Sequence, residues 1–494
     1  MNRRTFLQTV ACGAVAAAAT RPMNFVFILM DDLGWADVGC NGSKFYETPN
    51  IDKLAARGTR FTNAYAAAPV CSPTRASIMT GKHPAHVGIT NYLPGKHTFP
   101  YTKLIGTECV QNLPLAEVTI AEALAPAGYT SAHIGKWHLG ATAEYWPEKQ
   151  GFALNVGGSN SGMPKSFFYP QWKGNPPVDG KDGEYLTDRL TDAAVDFIEK
   201  NQAKPFFLYL PHYAVHVPIE AKQKLVEKYK AKRAQWERQA LFRPTPGLYR
   251  SGHGYPQPLQ NDPAYAAMIE SMDQSVGHVV ETLERLKLSD NTVVFFTSDN
   301  GGLSAPEWKK VPVTSNAPLR EGKGHLYEGG IRVPLIVAGP GVRAGRVEAT
   351  PVQSVDFLPT ILDFASAKVP PGVDGVSITG LLRSGTPPPE RDLYWHYPHY
   401  SNQIGRPSSA IRRGTWKLIE FHEDHHSELY DLSEDMGEQK DLAAAFPERA
   451  NELKARLHGW QKKVNAQFPT PNPNYDPKRE EESYWWISGV LPGK

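Results

Sequence analysis

The sequence lacks several features that would assign it to a broad class at once. It has no charge excess, since 53 basic residues face 51 acidic ones for a formal net charge of +2. That argues against a nucleic-acid partner, whose footprint is a concentrated basic surface. Internal repeats are missing, and so is low-complexity sequence beyond the N-terminal region, which sets aside solenoids. No apolar run after that region is long enough to span a bilayer, so no stable membrane insertion is expected. Cysteine is scarce, with only Cys12, Cys40, Cys71 and Cys109 in 494 residues.

Glycine and proline are abundant, at 42 each. Many loops must therefore connect short elements, and loops are where sites sit. A hydrophobic fraction of 41% allows a large core. The length suits one large domain plus a smaller one. Residues 1–23 read as an export signal: Arg3-Arg4-Thr5-Phe6-Leu7-Gln8 is a twin-arginine pattern, and an alanine-rich stretch follows it. The expected location is periplasmic or extracellular. Removing the signal removes Cys12 and leaves three cysteines, so one is unpaired or has another fate.

Short apolar runs at Phe25–Met30, Thr130–Ile134, Pro205–Leu210, Thr292–Thr297 and Val333–Ala338 predict strands buried on both faces. Helical patterns lie between them, the longest over Ala264–Leu286. The alternation predicts an α/β fold, with a large, mixed but mostly parallel sheet sandwiched by helices over residues 24–382. A proline-rich break at Arg383–Arg391 follows. Beyond it, Thr415–Phe421 and Ser427–Leu432 predict two strands, and Pro447–Val464 a helix, giving a smaller antiparallel α+β domain over 391–494.

Ligands bind outside the carboxyl ends of strands in such sheets. Asp31 and Asp32 follow the first predicted strand, Lys136 and His138 the second, His212 and His216 the third, and Asp299 and Asn300 the fourth. An aspartate after a strand is commonly a turn or cap residue, but four strand ends agreeing is not common. The oxygen donors suit a hard cation such as Ca²⁺ or Mg²⁺ rather than Zn²⁺. Arg75, Lys136 and Lys323 suit a tetrahedral oxyanion. Cys71 stands at the mouth of a predicted short helix, with Pro73 in its first turn and Gly81 after its last residue. A helix mouth is an anion site. The residues alone leave two readings of Cys71, a reactive low-pKa thiol or a buried inert one.

The run Cys71-Ser72-Pro73-Thr74-Arg75 with Gly81 resembles the signature of the type I, formylglycine-dependent sulfatases, an arylsulfatase-like branch of the alkaline phosphatase superfamily. Phe25–Gly34, Gly135–Gly140, Ser298–Gly301 and Gly322–Pro334 resemble further motifs of that family, so the likeness covers nearly the whole mature chain. It implies an alkaline-phosphatase-like fold and hydrolysis of a sulfate ester. It implies that a maturation enzyme converts Cys71 to formylglycine (3-oxoalanine). By the same resemblance, Asp31, Asp32, Asp299 and Asn300, with modified residue 71, match the ligands of one Ca²⁺ ion. Arg75 matches the residue that holds the aldehyde hydrate, and Lys136 and Lys323 match sulfate-binding lysines. His138 matches the histidine that helps expel sulfate, and His216 the one near the leaving oxygen. His212 matches no catalytic position and is expected in a loop or subsite. Cys40 and Cys109 are left either paired or free.

His422-Glu423-Asp424-His425-His426 fits H-E-x-x-H to the letter. It lies between two strand-like runs, so it predicts a polar turn rather than a zinc-binding helix. Two other functions are weighed. A phosphatase or phosphodiesterase of the same superfamily would use Ser or Thr with two zinc ions. A non-catalytic binder of sulfated glycans would keep the fold and lose the chemistry. The expected substrate is a sulfated small molecule or glycan, with an exo-acted galactose or N-acetylgalactosamine sulfate as the specific expectation. His399, Asn402 and Arg406, in the aromatic segment Tyr394–Arg406, are candidate sugar contacts.

Overall fold

Strand β1 (Asn24–Met30) is buried on every residue. Its side chains alternate between two cores: Val26, Ile28 and Met30 enter one, Phe25, Phe27 and Leu29 the other. That is why the run reads as continuously apolar rather than alternating. It lies inside an eight-stranded sheet of β1, β2 (Gly58–Phe61), β3 (Thr130–Ile134), β4 (Leu154–Val156), β5 (Phe206–Pro211), β6 (Thr292–Ser298), β7 (Leu335–Ala338) and β8 (Arg346–Glu348), in the order β8-β2-β7-β6-β1-β5-β3-β4. Only β7 runs against its neighbours, pairing antiparallel with β6 and β2. In this computed structural model residues 21–95, 99–236, 259–305 and 312–484 are described. Residues 1–20 of the expected export signal lie outside them.

Helices cover both faces of the sheet. On one side lie α2 (Leu186–Asn201) and α3 (Pro263–Arg285); on the other lie α1 (Cys71–Thr80) and α4 (Phe357–Phe364). Helix α3 starts where Asp262 accepts hydrogen bonds from the N–H groups of Ala264 and Tyr265, with Pro263 in the first turn. Helix α1 stops at Gly81, whose φ of 66° is the left-handed C-terminal stop that glycine takes without penalty.

The smaller sheet is antiparallel, in the order β9 (Leu393–Tyr397), β10 (Ser408–Arg413), β11 (Trp416–Phe421), β12 (Ser427–Asp431). Ile411, Leu418 and Leu429 pack under α5 (Pro447–Lys463) through Leu453, Leu457 and Trp460. Trp395, Ala410 and Ile419 on the other face pack against Tyr65, Leu326 and Ile331 of the large sheet's loops. The small sheet thus buttresses the segment that carries Lys323.

Candidate functional site

Strands β1, β3, β5 and β6 are mutually parallel, so their carboxyl ends open on one edge of the sheet. The chain leaves β1 directly into Asp31 and Asp32, and β6 into Asp299 and Asn300. All four are buried to within 1% of complete. Asp32 and His138 both adopt left-handed backbone, with φ of 61° and 59°. For residues with a Cβ this is uncommon and concentrates at functional turns.

The carboxylates meet cations pairwise. Lys136 Nζ donates to Asp31 Oδ2 at 2.7 Å, and Lys323 Nζ to Asp32 Oδ2 at 2.7 Å. Arg75, fully buried, places Nε and Nη2 each 2.8 Å from Asp299 Oδ2. Its Nη1 donates to the Lys136 carbonyl at 2.8 Å, which ties α1 to the loop after β3. Burial pushes the Asp31 carboxyl well above the usual range, with Asp299 and Asp32 adding repulsion that Lys136 and Arg75 do not overcome. Burial would also raise Asp32, but the charge and hydrogen bond of Lys323, with a hydrogen bond from Asn300, outweigh it and hold that carboxyl below its ordinary value.

Cys71 is the first residue of α1 and faces this group. Its Sγ lies 3.3 Å from His138 Nδ1. His138 Nε2 is hydrogen-bonded to the Leu93 carbonyl. A carbonyl only accepts, so Nε2 carries the proton and Nδ1 presents its lone pair to residue 71. Ser72 holds both sides of this contact, donating to the His138 carbonyl at 2.9 Å and accepting from the Leu93 N–H at 3.0 Å. His216 is arranged in the same way. Its Nδ1 donates to the Val217 carbonyl at 3.0 Å, leaving Nε2 to accept from Lys323 Nζ at 3.0 Å. Burial, reinforced by Lys136 for His138 and by Lys323 for His216, holds both imidazoles neutral; His216 falls to about 3.

Two buried acceptors here have no hydrogen-bond partner, Asp31 Oδ1 and Asn300 Oδ1. Buried oxygens of this kind are costly unless something binds them. Asp31, Asp32 and His216 also form the one group of three His, Cys, Asp or Glu side chains among the described residues that converges as cation ligands do. His216 is already turned to Lys323, and the rest of the set is oxygen. The residues present therefore fit a hard cation bound through Asp31, Asp32, Asp299 and Asn300.

A cleft of about 580 Å³ opens above Cys71, His138, His216 and Lys323. Asn402 lines it, as do Tyr92, Ser159, Asn175 and Gln403, none of which the sequence singled out. They come from irregular loops with no periodicity or motif, so no local signal marks them. His399 lies apart, in a neighbouring cavity, and its Nε2 meets Thr90 Oγ1 at 2.9 Å. Arg406 does not line the cleft; it reaches to Glu423 at 3.5 Å and covers the Phe421 ring. His212 lies in the loop directly after β5, as expected, but it is fully buried and meets Ser275 Oγ of α3 at 3.0 Å, so it is a core contact and lines no subsite. The residues from His422 to His426 form the β11–β12 turn, so its two end histidines do not share a helical face. Cys40 and Cys109 are both free.

A model of the family described as Sulfatase matches residues 23–367. The chain belongs to the sulfatase family. A second model, N-sulphoglucosamine sulphohydrolase, C-terminal, matches residues 322–466, from the Lys323 segment through the end of α5. A sulfatase from Formosa agariphila is 34% identical, covering 91% of this chain and 90% of that protein. Human arylsulfatase A is 31% identical over 91% of this chain and 89% of its own length. The human N-acetylgalactosamine-6-sulfatase is 34% identical over 76% and 68% respectively. Among solved structures, Ps i-CgsB superposes with a TM-score of 0.71 at 29% identity, covering 96% of this chain and 98% of that one. As a sulfatase the chain is a sulfuric ester hydrolase. Among the described residues no helix is long and apolar enough to cross a membrane.

Proposed function

We propose that this sulfatase hydrolyses a sulfate ester of a carbohydrate, using a formylglycine made from Cys71 and a bound Ca²⁺ ion. The observation that carries the reading is the placing of Cys71, at a helix mouth, beside buried Asp31 and Asp299, with the Asp31 carboxylate and the Asn300 amide each offering an unpartnered acceptor oxygen. The Cys71 thiol stands where the aldehyde hydrate would sit. A hydrated aldehyde supplies two hydroxyls on one carbon, the chemistry for both attack on sulfur and release of sulfate. Calcium supplies charge to balance a sulfate brought among three carboxylates already matched by three cations.

The chain's own groups do the rest. Arg75 and the α1 N-terminus hold residue 71 in one orientation. Lys136 and Lys323 are within reach of the sulfate oxygens, where they stabilise developing charge. His138 Nδ1, with its lone pair fixed on residue 71, takes the proton whose loss releases sulfate. The Lys323–His216 pair, with Nζ 3.0 Å from Nε2, shares a proton available to the leaving alcohol.

The relatives support a carbohydrate substrate. Ps i-CgsB has been crystallised with k-i-k-neocarrahexaose, and another relative is named for N-acetylgalactosamine-6-sulfate. A galactose or N-acetylgalactosamine sulfate is the specific substrate proposed. The twin-arginine pattern supports export, and conversion by the maturation enzyme then precedes export, because that route carries folded proteins. The test is hydrolysis of paired aryl sulfate and aryl phosphate esters, then of a panel of sulfated sugars. Turnover of sulfate and not phosphate is expected; the reverse would favour the phosphatase reading. Chelating calcium should abolish turnover and lower the melting temperature, because an ion at one hundred times its Kd contributes about 2.7 kcal/mol.

A further inference from the structure

The segment Ser159–Lys165 forms part of the wall of the Cys71 cleft, and it is held in place on both sides of Lys165. The His138 N–H donates to the Ser159 carbonyl at 3.0 Å. Gly162 passes so close to the His138 ring that a Cβ there would lie 2.7 Å from Nε2, a contact that only glycine avoids. Ser161 Oγ donates to the Met163 carbonyl at 2.7 Å and meets Asn175 Oδ1. The Lys165 N–H donates to the Asn175 carbonyl at 3.4 Å. Just beyond, Ser166 Oγ and the Phe167 N–H both donate to Glu220 Oε2, at 2.6 and 2.9 Å. Pro164 and Ser166, the chain neighbours of Lys165, are buried. Lys165 itself is exposed and lines the cleft together with Cys71, His216 and Lys323.

This ammonium differs from the other cations of the site. Lys136, Lys323 and Arg75 are each paired with a buried carboxylate, those of Asp31, Asp32 and Asp299 in turn. Among the described residues the Lys165 ammonium has no ion-pair partner. An exposed lysine is ordinarily a solvated surface group. This one stands on a fixed wall, over a cleft whose volume of about 580 Å³ is in the ~300–1,000 Å³ range of small-ligand sites. Sugar hydroxyls need no cation there, since Asn175 and Gln403 bring side-chain amides to the same cleft. An anion does gain from one, because an ammonium presents a full charge and three donors. A ligand that fills the cleft also displaces water from around the pair, which strengthens the attraction over that between solvated groups.

We propose that Lys165 determines specificity by binding a second anionic group of the substrate, a sulfate or a carboxylate carried in addition to the sulfate over Cys71. The proposal rests on the sulfatase reading of the cleft. It makes the substrate a sulfated sugar with at least two negative charges. One is taken in among Lys136, Lys323 and residue 71, and the other meets Lys165 at the wall.

The test uses three disaccharides that share one sulfated unit. In the first the neighbouring unit is a neutral hexose, in the second that hexose carries a sulfate, and in the third it is a uronic acid. For the matured enzyme, kcat/KM for release of the shared sulfate should be about tenfold or more higher on at least one dianionic compound than on the neutral one. Which of the two gains tells whether the second group is a sulfate or a carboxylate. Lys165→Met should bring that ratio to within about twofold of one, and Lys165→Glu should invert it. Raising the ionic strength from about 0.05 M to about 0.5 M should shrink the ratio in the unaltered enzyme, because screening weakens the attraction. Equal rates on all three compounds, or a preference that survives Lys165→Met, would overturn the proposal. Calorimetric binding to the Cys71→Ala protein separates this proposal from the reading it rests on. The preferred dianionic compound should bind about tenfold more tightly than the neutral one, and adding Lys165→Met should remove the difference. That result supports the role of Lys165 even if no ester is turned over. Equal binding of all three compounds refutes it even if sulfate is released.

Discussion

At the scale of single residues, hydrogen-bond direction assigns the chemistry. Leu93 fixes the tautomer of His138, and Val217 that of His216, so each imidazole turns a lone pair toward the reacting region. Proton delivery to the leaving oxygen matters most when that oxygen is a poor leaving group. His216→Ala should therefore reduce kcat on a sugar sulfate about a hundredfold or more, and on an activated aryl sulfate much less. Equal losses on both, measured by sulfate release, would assign His216 a binding role instead. Asp31, Asp32, Lys136, Asp299 and Asn300 were legible in the sequence because each directly follows a strand. Lys323 was legible only as a cation suited to an oxyanion, and its role as a sulfate-binding lysine came from the family resemblance. Leu93 and Gln403 were not legible, because a carbonyl and a loop amide gain meaning only when long-range packing sets them over Cys71.

Among elements, a buried charge cluster joins the small sheet to the loop after Lys323. Lys417 of β11, fully buried, donates to Glu328 at 2.9 Å and lies 2.8 Å from Glu438. Arg332 completes the cluster through Glu328 at 2.6 Å. Removing one member leaves uncompensated buried charge, so Lys417→Ala should destabilise the protein by about 3–5 kcal/mol. Denaturant unfolding would measure it, and a loss below about 1 kcal/mol would mean that the cluster is already relaxed by water. The five central strands were legible as apolar runs, with ends within two residues of the observed ones. The short strands β2, β4 and β8 were not, since Gly58–Phe61, Leu154–Val156 and Arg346–Glu348 are too short and too mixed to show a pattern. In the small sheet, β11 and β12 were expected. β9 and β10 were missed because histidine, serine and arginine, held by packing partners, break their alternation.

For the whole molecule, burial governs how stability depends on pH. It depresses His83 and His396 to about 4, and His133, His212, His399 and His422 to about 3. In the unfolded chain each titrates near ~6.5. As pH falls below that value the unfolded state binds protons that the folded state refuses, and stability is lost progressively down to the folded values. Burial also raises Asp37 and Asp273 to about 6 and Glu438 to about 7, and these work in the opposite direction over the same window. With His138 and His216 also lowered, and Asp31, Asp192 and Glu321 also raised, eight histidines outnumber six acids. The melting temperature should therefore fall by at least about 5 °C between pH 7 and pH 5. A flat profile across that interval would contradict the buried, neutral state of these rings.

The central claim is the fate of one side chain, and one measurement bears on it directly. The tryptic peptide Phe61–Arg75 contains Cys71 and no internal lysine or arginine. Mass spectrometry of that peptide, taken from fully active enzyme made in a host that carries the maturation enzyme, should find an aldehyde at residue 71 that reacts with hydrazide reagents. An unmodified thiol in that same active preparation would contradict the account.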